Sequence, residues 1–123
     1  MAAPTQRDND VPRDAVPAAR SLAFTDMRAF VESYYALLPS APEQAWPMLA
    51  GSLQAKGGGF SEYLQWWGSV ASVTVRSVQP RDATSVSADL EYSRRDGTTQ
   101  DEIRWLEVHD VDGQRLITDS AVS

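Results

Sequence analysis

The 123-residue chain suits one domain and is too short for two, and its 42% hydrophobic content lets it bury roughly two thirds of its unfolded surface without a metal or disulfide staple. The net charge is −6, with one lysine, ten arginines and no basic cluster, which excludes a nucleic-acid binder, and the lack of cysteine excludes disulfides and thiolate metal sites. No stretch approaches the length of a membrane span and the N-terminus lacks the apolar region of a signal peptide, so the chain as written reads as soluble.

Residues 1–21 are rich in Ala, Pro, Asp and Arg and show no apolar period. Pro4, Pro12 and Pro17 break any helix, so this segment reads as a flexible tail or linker ahead of a domain over 22–123. Order begins near Phe24, with Thr25 or Asp26 as a helix cap. Met27, Phe30, Val31, Tyr34, Leu37 and Leu38 recur at three- and four-residue steps, which defines one apolar helix face that Pro39 ends. Ser40 and Glu43 have the spacing of a capping box, with Pro42 in the first turn of a short second helix carrying Ala45, Trp46 and Leu49. Pro47 kinks it and Gly51 closes it. Gly57-Gly58-Gly59 follows, then a third helix capped by Ser61, covering Tyr63, Leu64, Trp66 and Trp67 and stopped by Gly68.

After residue 70 the period changes to two. Val73 and Val75 alternate with Ser72, Thr74 and Arg76. Val86, Ala88, Leu90 and Tyr92 alternate with Ser85, Ser87, Asp89, Glu91 and Ser93. Asp96-Gly97 and Asp112-Gly113 are hairpin signals on either side of a strand with Ile103, Trp105, Leu106 and Val108; Leu116, Ile117 and Val122 fall in the last strand. Three helices followed by a four-stranded antiparallel meander predict an α+β fold with the helices on one face of a curved sheet.

That order over residues 22–122 resembles the nuclear transport factor 2-like fold, the cystatin-like cone. The wording from Phe30 to Val75 is similar to small domains that follow the membrane span and linker of some actinobacterial serine/threonine kinases and related membrane-anchored proteins. The matching residues are Tyr34-Tyr35 with Leu38-Pro39, Ala45-Trp46, Gly58-Gly59-Phe60, Tyr63, Trp66-Trp67 and the Tyr92…Asp96-Gly97 hairpin. The resemblance implies an extracytoplasmic domain whose membrane tether lies outside this chain, and whose parent carries any kinase activity elsewhere.

The glycines do not make a phosphate loop. Lys56 precedes them and no strand is predicted before them, so they supply a tight turn at positive φ. Cone folds hold a pocket between helices and sheet, and Tyr34, Trp46, Tyr63, Trp66, Trp67, Tyr92 and Trp105 either line it or fill the core. Trp66 and Trp67 point about 100° apart on a helix, so one is core and the other is a candidate pocket wall or interface anchor. Ketosteroid isomerases of similar fold use a pocket Asp as base and a Tyr as hydrogen-bond donor. Here Tyr34 or Tyr35 could stand for the Tyr, and Asp119 is the best acid because Ile117 and Ala121 share its strand face. Asp89 and Glu91 face water, and Asp101 and Glu102 lie among charged neighbours at a strand start. His109 stands alone and builds no metal site. Arg94-Arg95-Asp96-Gly97 reads as a solvated hairpin tip.

These residues favour a non-catalytic binding, sensory or dimerisation domain without cofactor or metal. Its partner is a small hydrophobic ligand, another protein or a second copy, with Ile103 and Trp105 as the interface on the exposed sheet face. The alternative is a small isomerase-, cyclase- or dehydratase-like enzyme acting on a hydrophobic ligand.

Overall fold

The structure, a computed structural model, describes residues 22–123; the linker expected over 1–21 lies outside them. Helix α1 runs Phe24–Ala36 and buries Met27, Val31 and Tyr34 of the expected apolar face together with Tyr35, which lay outside that period, while Phe30 is only half-buried. Ala23, not Thr25 or Asp26, holds the N-cap position, and no side chain caps the helix. Asp26 instead sits in the first turn, where a carboxylate opposes the positive end of the helix dipole. The helix stops at Ala36, before the Leu38–Pro39 peptide.

Helix α2 spans only Pro42–Ala45. Pro42 opens it as expected, but Ala41 rather than Ser40 is the cap. Pro47 turns the next residues, Trp46–Met48, into a 3-10 turn. Leu49 leaves it extended and bridges Ile117, and the Ala50 N–H donates to the Ile117 carbonyl at 2.9 Å, which ties this corner to the last strand. Gly51 opens a helix rather than closing one: α3 covers Gly51–Lys56. Helix α4 covers Phe60–Gly68 with Gly59, not Ser61, at its N-cap. Among the described residues the helical half therefore has four α-helices, three of them under ten residues, and a 3-10 turn where three helices were expected. GSLQAK was overlooked because Leu53 is its one large apolar side chain, too little to set a period.

Strands β1 (Val70–Asp82), β2 (Ser85–Arg94), β3 (Thr99–Val111) and β4 (Gln114–Val122) form the expected antiparallel meander in the order β1-β2-β3-β4. Gly97 at φ 93°, and Asp112 with Gly113 at φ 52° and 81°, occupy the two turns that Asp-Gly signalled. Val86, Ala88, Leu90 and Tyr92 stand on one sheet face with Leu106, Val108 and Ile117, all buried in one core cluster with the apolar face of α1 and Trp67 of α4. The register shifts three times between β1 and β2 and once between β3 and β4, so bulges bend the strands that flank this face. The two layers leave a space near α4.

The glycine run is turn geometry, as expected, at two of its three positions. Gly58 and Gly59 take φ 94° and 89°, while Gly57 at φ −85° simply ends α3. A Cβ on Gly58 would stand 2.8 Å from Cγ of Glu62. Gly58→Ala should therefore lower stability by about 1–2 kcal/mol, whereas Gly57→Ala should be close to neutral, and urea unfolding of both variants separates the two.

Candidate functional site

A cavity of about 250 Å³ lies between the helices and the core face of the sheet. Its position follows from the chain's aromatic spacing. Trp46 on the 3-10 turn and Tyr63, Trp66 and Trp67 on α4 form the walls, Tyr34 and Tyr35 reach in from α1, and Tyr92 and Arg104 come from the sheet. The rings make one connected edge-to-face and tilted array. Trp46 lies 4.9 Å from Tyr63, Tyr63 lies 6.4 Å from Trp67, and Trp66 lies 5.6 Å from Tyr92, centroid to centroid. Leu49, Leu53, Leu106 and Ile117 complete the apolar lining, and the exposed Gly57 and Glu62 mark the open side.

All six tyrosines and tryptophans expected as ligand-binding residues, Tyr34, Trp46, Tyr63, Trp66, Trp67 and Tyr92, line the cavity, and so does Tyr35. Of the adjacent pair, Trp67 is the core residue and Trp66 the half-buried wall. Trp105 does not take part. It pairs with Ser87 and Ala121 on the outer sheet face, next to the exposed Ile103. Arg94 corrects the reading of its hairpin as solvated: its guanidinium lies 4.7 Å from the Trp66 ring centroid and closes the outer side of that wall. Arg95 donates from Nε to the Gly68 carbonyl at 2.8 Å, anchoring the hairpin to the end of α4.

Asp119, expected as the best acid, is not in the cavity. Lys56 Nζ donates to its Oδ1 at 2.7 Å on an exposed surface, and this bond, with the Ser120 N–H, holds the carboxyl below its ordinary range. The carboxylate behind the cavity is Glu102. Its neighbour Asp101 points the other way and pairs with Arg76 at 3.0 Å, together with Asp89, on the outer face. Successive strand residues face opposite sides, so the two acids at the start of β3 have opposite fates. Glu102 Oε2 accepts from the Tyr92 hydroxyl at 2.8 Å and from Arg104 Nε at 2.7 Å. Arg104 Nη1 donates to Ser120 Oγ at 2.7 Å. Ala88, directly opposite Arg104, carries the smallest side chain on the core face of β2, which leaves width for the guanidinium.

Glu102 and Arg104 were missed as site residues. Their signal is phase: both share the phase of Leu106 and Val108, which are core, and alternate with Ile103 and Trp105. His109 stands 3.4 Å from Glu107 and away from the cavity lining. Comparison with protein-family models, with curated proteins and with solved structures returns no match.

All four tyrosines of the chain belong to the site, and burial pushes every phenol upward: Tyr63 to about 12, and Tyr34, Tyr35 and Tyr92 well above their ordinary value. The Tyr34 and Tyr63 hydroxyls share a hydrogen bond of 2.9 Å. A raised phenol pKa means that folding favours the neutral form. The stabilisation is whole below the unfolded value of about 10 and is lost as pH rises past it. Tyrosinate absorbance should therefore stay absent up to about pH 10 and then appear together with loss of the circular-dichroism signal. Stepwise ionisation near 10 in a folded protein would show that the rings are wetter than this packing allows.

Proposed function

We propose that this domain is a nuclear transport factor 2-like cone that binds a small ligand between its helices and sheet, acting as a non-catalytic sensory module. The α+β order with a four-stranded meander supports the cone, and the cavity carries the functional reading. Its aromatic walls meet an arginine on the sheet, the combination of apolar body and few polar groups that orients small ligands. The sequence resemblance supplies the setting: an extracytoplasmic domain tethered to a membrane protein of the actinobacterial serine/threonine kinase kind. Among the described residues no helix is long and apolar enough to cross a membrane.

Binding is favoured over catalysis by the state of the carboxylate. An isomerase-like base needs a carboxylate that meets the substrate and is free to take its proton. Glu102 lies behind Arg104 rather than in the lining, and its Oε2 already accepts two hydrogen bonds, while Glu62, the carboxylate that does line the cavity, is exposed at its open side rather than held among the rings. The test is an amide and indole NMR titration with a library of single-ring fragments. Hits should move the Tyr35, Trp66, Trp67 and Arg104 signals. Absence of hits, or shifts confined to the outer face of the sheet, would remove the reading.

A second reading rests on that outer face. Ile103 is 46% exposed, with Trp105 half-buried beside it, which fits a homodimer through the sheet. Sedimentation at high concentration should then show a dimer that Ile103→Lys dissociates; a wild-type chain that stays monomeric counts against it.

A further inference from the structure

The cavity combines a charged hydrogen-bond donor with no net charge at that donor, and this selects a ligand class. Arg104 has five N–H bonds. Nε is taken by Glu102 and one Nη1 hydrogen by Ser120. Among the described residues Nη2 has no hydrogen-bond partner, although Arg104 lines the cavity. The guanidinium therefore has donor capacity left for an acceptor oxygen. Its charge, however, is already matched by Glu102, whose side chain is 7% exposed. A bound carboxylate or phosphate would add a second buried negative charge to one positive one, with no further cation in the lining to offset it. Glu62, the carboxylate that does stand in the lining, adds to the repulsion, and Lys56 at the near end of α3 is engaged by Asp119.

We infer that the cavity takes a small, flat, neutral ligand that carries a carbonyl, its oxygen accepting from Arg104 and its ring packed among Trp46, Tyr63, Trp66 and Trp67. A neutral carbonyl gains a charge-assisted hydrogen bond without bringing a charge out of water. The size agrees: apolar cavities of about 150 Å³ hold benzene, so about 250 Å³ admits one ring with a short carbonyl substituent. This inference deepens the proposed ligand-binding reading and rests on it.

The test uses three probes of similar size: acetophenone, benzoate and ethylbenzene. Each is titrated at neutral pH into the full chain and followed by tryptophan fluorescence and NMR. Acetophenone should bind about 10-fold or more tightly than either of the others, because one hydrogen bond to a charged donor separates it from ethylbenzene and one buried charge separates it from benzoate. Glu102→Gln keeps the shape of the site and frees the arginine's charge, so it should reverse the order of acetophenone and benzoate. The double variant Glu102→Gln with Arg104→Gln buries no charge, and there acetophenone should lose its advantage over ethylbenzene. Tightest binding of benzoate by the wild type, or equal binding of ethylbenzene and acetophenone, would overturn the neutral-carbonyl assignment while leaving ligand binding intact. Binding of none of the three would overturn both.

Discussion

A carboxylate and a guanidinium on the core face of a sheet cannot be covered by apolar side chains alone, and the arrangement of this domain follows from that constraint. Glu102 and Arg104 each need the other. Removing one partner from such a pair leaves an uncompensated buried charge, at a cost of about 3–5 kcal/mol. Each has one further bond to a group that tolerates both environments: Glu102 accepts from the Tyr92 phenol and Arg104 donates to the Ser120 hydroxyl. Aromatic rings surround them because such residues present an apolar body and a polar tip. The cavity is where this polar end of the sheet meets the helices.

The core face of the sheet thus has two ends with different chemistry. Val86, Leu106, Val108 and Ile117 pack as an ordinary apolar core, each almost completely buried. Two residues along β3 from Leu106, the same face carries Arg104, and two further on, Glu102. Helix α1 covers both regions, with Met27 and Val31 buried toward one end and Tyr34 and Tyr35 lining the cavity at the other. The bridge from Leu49 to Ile117 fixes the 3-10 turn on the sheet and so sets how far Trp46 stands from it.

The reach of the sequence differs between elements. The meander was legible because alternation from Ser85 to Ser93 and two Asp-Gly turns mark antiparallel neighbours joined by short hairpins. The aromatic lining was legible because Tyr34, Trp46, Tyr63, Trp66, Trp67 and Tyr92 lie on elements whose apolar faces the periodicity defines. Helix caps were not. Ala23, Ala41 and Gly59 hold those positions without a side-chain bond, and the Ser, Thr and Asp residues nearby lie inside or outside the first turn. Tertiary packing of an apolar face outweighs a cap when helices are this short. Helix α3 went unread for the same reason in reverse, since it has contacts with β4 but almost no period of its own.

Strand β3 shows most clearly where local pattern stops. Ile103 and Trp105 are apolar on one phase, Leu106 and Val108 on the other, so alternation alone does not say which phase is inside. Pairing with β2 decides it: Leu106 stands opposite Val86 and Arg104 opposite Ala88, which carries the charged pair inward and Ile103 and Trp105 outward. Asp119 was misplaced because its own strand neighbours are apolar, while its partner Lys56 lies 63 residues away on a helix the pattern did not reveal. By itself the sequence determined the α+β class, the strand order, the turns and the stock of aromatic side chains, because these depend on residues near one another along the chain. Only the tertiary structure decided which carboxylate is buried and which arginine faces the cavity, because burial of a charge depends on the partner that folding brings opposite it.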